Sequence, residues 1–192
     1  MTYGELLPHG ASKALGPKRL LPSTQARTLL DLGMGSGKFA MQAFFEADHL
    51  VHVVGVELTH ARFDLAAQAL KRLAAKPAQA TNNALFEFQE SKDANCKRTK
   101  WMRLVDLNRV LEFRRGDIFN LPLDLIARAD AIIMAVAFPP EMIGRVQKLL
   151  CHTKPGCRLL TYEDLNLDAS HTWDPPAPRA FQRLPCNNED DR

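Results

Sequence analysis

Hydrophobic residues along this chain form short runs that alternate with segments of helical periodicity. Five apolar runs predict strands, at residues 27–32, 50–57, 110–114, 131–136 and 157–162. Apolar residues at helical spacing predict helices at residues 37–48, from a cap at Thr59 through Leu73, and at 140–150. Strands that alternate with helices predict a Rossmann-like α/β fold, with a mostly parallel sheet and helices on both faces.

Three further segments have weaker patterns. A short helix is predicted around Ala11–Ala14, and a longer one within 92–108, where Trp101, Leu104 and Leu107 recur at a spacing of three. Residues 181–184 would begin a sixth strand. After residue 164 we expect either a loose tail or an incomplete final unit in which the last strands of the sheet are missing.

Proline, glycine and charge divide the chain into three regions. Residues 1–26 form a polar N-terminal arm, residues 27–164 the α/β core, and residues 165–192 a proline-rich tail with an acidic end. A chain of 192 residues can bury one substantial core.

The amino-acid composition excludes only a few classes of function. The net charge of +3 is mild, and 46% hydrophobic with 24% charged residues is ordinary for a globular protein. The four cysteines form no Cys-x-x-Cys pair and no His cluster has zinc spacing, so we expect no metal site. The longest apolar run, 131–138, is too short to span a bilayer. We expect no membrane association and a reducing compartment, cytosol or nucleus.

The strongest candidates for functional residues lie where the first predicted strand ends. Gly33, Gly35 and Gly37 have the spacing G-x-G-x-G after the strand acid Asp31, whereas dinucleotide sites use G-x-G-x-x-G. Such a turn lets backbone approach a ligand closely and points a helix amino terminus at it. Because S-adenosylmethionine has no phosphate, this tighter turn favours it over a dinucleotide. A plain strand-to-helix turn is the alternative.

Two more carboxylates end strands. Glu57 closes the second strand, where it can accept hydrogen bonds from both ribose hydroxyls; a helix-dipole acid is the alternative. Asp117 follows the third strand, where it can accept a hydrogen bond from an adenine amino group, with Ile118 or Phe119 against the ring. A simple turn aspartate would look the same.

The chain resembles the disruptor-of-telomeric-silencing family, the histone lysine methyltransferases that lack a SET domain. The resemblance spans residues 2–163 and rests on segments 2–5 (Thr-Tyr-Gly-Glu), 31–37 (Asp-Leu-Gly-Met-Gly-Ser-Gly), 55–57 (Gly-Val-Glu), 115–117 (Arg-Gly-Asp) and 137–141 (Ala-Phe-Pro-Pro-Glu). The glycine segment is general to methyltransferases; the first and last segments are more specific.

The resemblance implies a class I methyltransferase fold, S-adenosylmethionine as cofactor and a nuclear protein. It implies that the acceptor is a lysine amine on the globular core of histone H3 in nucleosomes. It further implies that Tyr3 and Glu5 belong to a loop that closes over the methionine end of the cofactor.

The acceptor side departs from the family. Where the family has Asn-Asn-Phe, with the second Asn lining the lysine channel, this chain has Met134-Ala135-Val136. Where the family has Gln after the glycine segment, this chain has Lys38, which could meet the methionine carboxylate. Val136 and Phe138 are candidates for a dry channel wall that lowers the pKa of a lysine amine, although ordinary strand-end core is the better explanation for Val136.

Alternatives therefore stay open. The chain could methylate another protein or a small molecule, or be a catalytically silent module that binds cofactor. A DNA amino-methylating enzyme is disfavoured, because the acid or amide that would precede Pro139-Pro140 is absent. Basic residues within 92–103 could contact DNA phosphates, or could be a solvated helix face.

Overall fold

Parallel strands form the centre of the sheet, and an antiparallel hairpin extends one edge. The structure, a computed structural model, describes residues 6–21, 23–75, 86–92, 99–106, 108–162 and 165. In chain order the elements are α1 (Pro8–Leu15), β1 (Thr28–Leu32), α2 (Lys38–Glu46), β2 (His52–Glu57), α3 (His60–Ala74), β3 (Glu87–Lys92), β4 (Thr99–Asp106), β5 (Arg109–Arg115), α4 (Leu123–Arg128), β6 (Ala131–Met134), α5 (Pro140–Leu150) and β7 (Arg158–Thr161).

The strand order across the sheet is β3-β4-β5-β2-β1-β6-β7. β5, β2, β1, β6 and β7 pair in parallel, and β4 runs antiparallel to both of its neighbours. In the central register Asp31 of β1 lies opposite Gly55 of β2 and Ile133 of β6. The carboxyl ends of these parallel strands therefore meet at one edge of the sheet.

Side chains alternate between two hydrophobic cores, one on each face of the sheet. On one face Leu29, Val53 and Phe113 pack beneath α1, α2 and α3. On the other face Leu30, Val54 and Ile132 pack with residues of α4 and α5. The central strands are buried on both faces, which explains their continuous apolar runs and confirms the predicted Rossmann-like class.

The helix predicted within 92–108 is wrong, because residues 99–106 form strand β4, which pairs with β5 on one side and β3 on the other. Trp101 and Arg103 lie opposite Arg114 and Glu112 of β5, whereas Leu104 lies opposite Leu111 and is buried. The side chains thus alternate with a period of two. The spacing of three among Trp101, Leu104 and Leu107 was therefore not a sign of a helix.

The N-terminal arm contributes to the core. The short helix predicted around Ala11–Ala14 is confirmed as α1, and Ala11, Leu15 and Leu20 are buried within the first core. Gln42 Nε2 of α2 donates to Pro8 O at 2.8 Å, which ties the start of α1 to α2. The arm is therefore packed against the sheet domain from residue 8 onward.

Beyond Tyr162 the chain is described only at Leu165, which is buried in the second core. The Leu165 carbonyl accepts a hydrogen bond from Gln147 Nε2 of α5 at 2.8 Å. The strand predicted at 181–184 and the tail lie outside the described residues. Within the described part of the chain, no helix has both the length and the apolar character needed to cross a membrane.

Candidate cofactor site at the carboxyl edge of the sheet

A cavity of about 250 Å³ opens where β1, β2 and β6 end. Its floor is the turn between β1 and α2, and its walls come from the ends of β2 and β6 and from the start of α3. Leu6, just before α1, also lines it. In open parallel sheets a crevice at this edge is where ligands bind.

Glu57 is held at the cavity by backbone N–H groups on two sides. Its Oε2 accepts a hydrogen bond from Gly35 N at 3.0 Å, and its Oε1 accepts one from Thr59 N at 2.6 Å. The residue is only 4% exposed. Because each carboxylate oxygen can accept two bonds, both keep capacity for a ligand hydroxyl. The glycine turn thus fixes the orientation of the carboxylate.

Asp31 is the second buried carboxylate of the cavity. Burial raises the pKa of its carboxyl, a hydrogen bond from the backbone of Ala40 lowers the pKa, and the charge of Glu57 raises it, to about 7 overall. Its Oδ2 is buried and has no hydrogen-bond partner among the described residues. A buried acceptor without a donor costs free energy, so this oxygen is suited to a cationic or hydrogen-bonding ligand group.

Gly33 is required by both backbone conformation and packing. Its φ of +89° lies in the left-handed region, and a Cβ there would overlap Cγ2 of Val136. Its backbone N–H donates to Val56 O at 2.9 Å. The glycine turn therefore holds together the ends of β2 and the loop after β6, with Val136 packed directly on it.

Gly37 was predicted to bind the cofactor, but it lies in a packed contact beside the cavity. Its φ is +77°, and a Cβ would lie 2.7 Å from Phe113 Cζ and 3.3 Å from Ala66 Cβ. Gly37 lets the start of α2 pack closely against β5 and α3, and it does not line the cavity. Lys38, the next residue, is exposed and lines the cavity.

The far wall follows β5. Asp117 caps a short 3-10 helix, Ile118–Asn120, by accepting a hydrogen bond from Phe119 N at 3.0 Å. Asp117, Ile118 and Phe119 all line the cavity. The guanidinium carbon of Arg145 lies 4.1 Å from the centre of the Phe119 ring, which holds that ring at the rim.

The wall after β6 is apolar. Ala135, Val136, Ala137 and Phe138 line the cavity in succession, and Met142 of α5 lines it as well. Val136 and Phe138 are half-buried. The loop therefore presents no polar side chain to the cavity between residues 135 and 138.

The cavity brings together most of the predicted site: Asp31, Gly33, Gly35, Lys38, Glu57, Asp117, Ile118, Val136 and Phe138. Their individual roles stay predictions. Tyr3 and Glu5 lie outside the described residues, although Leu6 lies at the cavity one residue later.

Sequence reasoning missed several lining residues. Arg62 lies near the start of α3, and the solvent-exposed Leu58 follows Glu57; both line the cavity. Leu58 directly follows the strand-end acid Glu57, and that position in the sequence is a signal that could have indicated a cavity-lining residue. The contribution of Leu6 depends on how the arm packs, which no local pattern indicates.

In the part of the chain that the structure describes, no group of three or more His, Cys, Asp or Glu side chains is placed to hold a metal ion.

Comparison with known proteins supports the fold class. No protein-family model matches the chain, and no curated protein sequence matches it. Among solved structures, the chain is similar to Trm1 from Pyrococcus horikoshii in complex with S-adenosyl-L-methionine, with a TM-score of 0.50 and 15% identity over 76% of this chain. It is also similar to the 16S rRNA (adenine(1408)-N(1))-methyltransferase from Catenulisporales acidiphilia, with a TM-score of 0.42 and 20% identity over 83% of this chain.

The chain spans 34% of the Trm1 chain and 58% of the rRNA methyltransferase chain. At such identities the likeness concerns the fold alone. The fold is that of the Rossmann-like, class I S-adenosylmethionine-dependent methyltransferases, with a seven-stranded, mostly parallel sheet. The predicted fold class is confirmed; histone specificity stays a proposal.

Proposed function

We propose that this protein transfers a methyl group from S-adenosylmethionine to a lysine amine on the globular core of histone H3 in nucleosomes. One observation supports the cofactor most strongly: two buried carboxylates, Asp31 and Glu57, meet at one cavity beside a glycine turn. S-adenosylmethionine has a sulfonium, an ammonium and a ribose diol, which are groups that such carboxylates bind.

The residues present fit this cofactor. Oδ2 of Asp31 lacks a donor among the described residues, and the methionine ammonium would supply one. Glu57 would accept hydrogen bonds from the ribose hydroxyls, and Asp117 and Ile118, which line the same cavity, would contact the adenine. Lys38, which also lines the cavity, would meet the methionine carboxylate, and the glycine turn leaves room for ligand atoms close to the backbone.

When bound, S-adenosylmethionine supplies an electrophilic methyl group. The residues of this chain would position the acceptor amine in line with it. A lysine amine must first lose its proton, which costs about 4.6 kcal/mol at pH 7. The apolar wall of Val136, Phe138 and neighbouring alanines disfavours the charged amine and lowers that cost.

The acceptor and the nuclear location are supported by the family resemblance of the segments around Tyr3, Glu5 and Phe138. The position of Leu6 at the cavity supports an arm that reaches the methionine end. Ala135, at the position of the channel Asn in the family, favours the alternative that another protein or a small molecule is the acceptor.

Calorimetric titration with S-adenosylmethionine tests the cofactor. We expect Glu57→Ala to weaken binding at least about tenfold, because a hydrogen-bonded carboxylate contributes about 1.5 to 3 kcal/mol. Asp48→Asn is the matched control, since the Asp48 side chain is 93% exposed and does not line the cavity. Equal affinity in the wild type and Glu57→Ala would rule out the assigned pocket.

Radiolabelled methyl transfer tests the acceptor. Wild-type protein is incubated with labelled cofactor and either intact nucleosomes or free histone H3, and we expect label on H3 in nucleosomes. Label on neither, with cofactor binding intact, would exclude histone H3 and leave another acceptor or a silent module.

A further inference from the structure

We infer that this protein has a second binding site, for single-stranded nucleic acid, in a basic groove at the opposite end of the sheet from the cofactor cavity. The groove has a volume of about 580 Å³ and lies where β1, β2 and β5 begin. His52 at its floor and Glu57 at the cavity are the two ends of β2, so the sites are about 16 Å apart along that strand.

Positive charge dominates the groove. Arg27, Arg103 and Arg128 line it together with His52, against a single carboxylate, Glu112. With His neutral, the lining has three positive charges against one negative. Asp124, which pairs with Arg128 at 2.9 Å beside the lining, makes the local balance three against two. Glu112 is fully buried beneath its partners, so its charge faces inward while the guanidinium groups reach solvent: the Arg103 side chain is 34% exposed and that of Arg128 67%.

Beside the groove is a sheet face that no described element covers. On this face Trp101 lies opposite Arg114, and Arg103 lies opposite Glu112. α4 and α5 pack over β1, β2, β6 and β7 in the second core, which leaves the outer face of β3, β4 and β5 without a described helix. The groove therefore continues onto an open, largely antiparallel surface.

This surface has a stacking platform. The guanidinium of Arg103 lies 4.5 Å from the centre of the half-buried Trp101 ring. Aromatic rings and guanidinium planes stack on unpaired bases, and a basic groove beside them follows the phosphates. A duplex keeps its bases stacked internally, so this arrangement favours a single strand. An acidic protein segment would use the charges but not the indole.

Fluorescence anisotropy with a labelled 20-nucleotide single strand tests the site, without cofactor and over a range of salt concentrations. If the three groove arginines contact phosphates, log K falls with log salt with a slope of about 2. Arg128→Glu should weaken binding at least about fivefold at low salt and reduce the slope by about 0.7. The ion pair of Arg128 is with exposed Asp124 on the same helix, so the variant should fold.

Arg72→Glu is the matched control, with the same change of charge at an exposed arginine near the end of α3, on the other face of the sheet. Trp101→Ala should weaken binding of the single strand more than binding of a duplex of equal length. Circular dichroism checks that each variant is folded.

Three results would overturn the inference: no binding at 50 mM salt, equal loss in Arg128→Glu and Arg72→Glu, or stronger competition by poly-glutamate than by an unlabelled oligonucleotide. The last would assign the groove to an acidic protein. The inference does not rest on the proposed methyl transfer, since binding is measured without cofactor, and failure here would leave the cofactor titration unchanged.

Discussion

The two buried carboxylates of the cavity, Asp31 and Glu57, differ in the hydrogen bonds that the fold gives them. Glu57 receives two backbone N–H groups, whereas Oδ2 of Asp31 receives none from the described residues. Asp31 is consequently the group whose ionisation the folded protein opposes, and burial raises the pKa of its carboxyl to about 7. The Asp31 side chain therefore affects both the proposed binding of a ligand and the stability of the folded protein.

Asp31→Asn should remove a pH dependence of stability. The wild-type carboxyl has a higher pKa folded than unfolded, so its stabilising contribution is complete below about pH 4 and is lost as the pH rises through about 7. Between pH 4 and 8, the free energy of unfolding of the variant should rise relative to that of the wild type by up to roughly 4 kcal/mol. Urea unfolding at pH 4, 6 and 8 measures this; parallel curves for the two proteins would contradict it.

Gly33→Ala should destabilise the protein by about 2 to 5 kcal/mol. The left-handed φ costs a residue with a Cβ about 1 to 2 kcal/mol, and overlap with Val136 adds about 1 to 3 kcal/mol. In a Val136→Ala background only the backbone cost remains, so the same substitution should cost less. A double-mutant cycle by chemical denaturation measures this coupling. Strict additivity would show that Val136 does not pack on Gly33.

At the level of secondary-structure elements, the antiparallel hairpin of β3 and β4 is joined to the parallel sheet through Glu112 of β5. Glu112 is fully buried and contacts Arg103 of β4 at 2.7 Å, Arg114 of its own strand, and His52 of β2 at 3.5 Å. Burial raises the pKa of Glu112, but the hydrogen bonds from these three residues outweigh burial and lower the pKa to about 2. One charge thus links three strands.

Glu112→Gln should destabilise the fold by about 2 kcal/mol at pH 7. This is less than the cost of breaking a fully buried ion pair, because the side chains of Arg103 and Arg114 are partly exposed. The lowered pKa means that this contribution is present above about pH 4.5 and lost as the pH falls toward 2. Acid unfolding of the variant should therefore be flatter over that range. Glu90→Gln, in a more exposed pair with Lys71, is the control and should cost well under 1 kcal/mol.

Across the whole molecule, the cavity lies between segments that are far apart in sequence, from Leu6 to Met142. A ligand that contacts all of them binds the folded state and not the unfolded chain. Cofactor binding should therefore protect the entire cooperative unit.

S-adenosylmethionine at about 100 times its Kd should add about 2.7 kcal/mol to the free energy of unfolding, which raises Tm by roughly 5 to 10 °C. Differential scanning fluorimetry measures the shift. Glu57→Ala at the same cofactor concentration should show a smaller shift. A protein whose Tm does not respond to cofactor would contradict the proposed site.

The pattern of apolar residues is sufficient to predict the central architecture. Apolar runs predict all five parallel strands, because strands covered on both faces need continuous hydrophobic residues. Chain order alone places the ends of those strands at one edge of the sheet, since parallel strands share a direction. That is why Asp31, Glu57 and Asp117 are predicted as one site and do line one cavity.

Other features depend on tertiary contacts that local sequence does not encode. Residues 99–106 are a strand because β5 offers an edge with matching partners for Arg103 and Leu104, which a local period cannot reveal. Gly37 serves packing against Phe113, and Leu6 reaches the cavity through the docking of α1. The basic groove joins three arginines that are distant in sequence. The local pattern of apolar residues indicates which side chains of a segment are buried. Strand pairing and contacts between distant segments determine which residues those side chains contact.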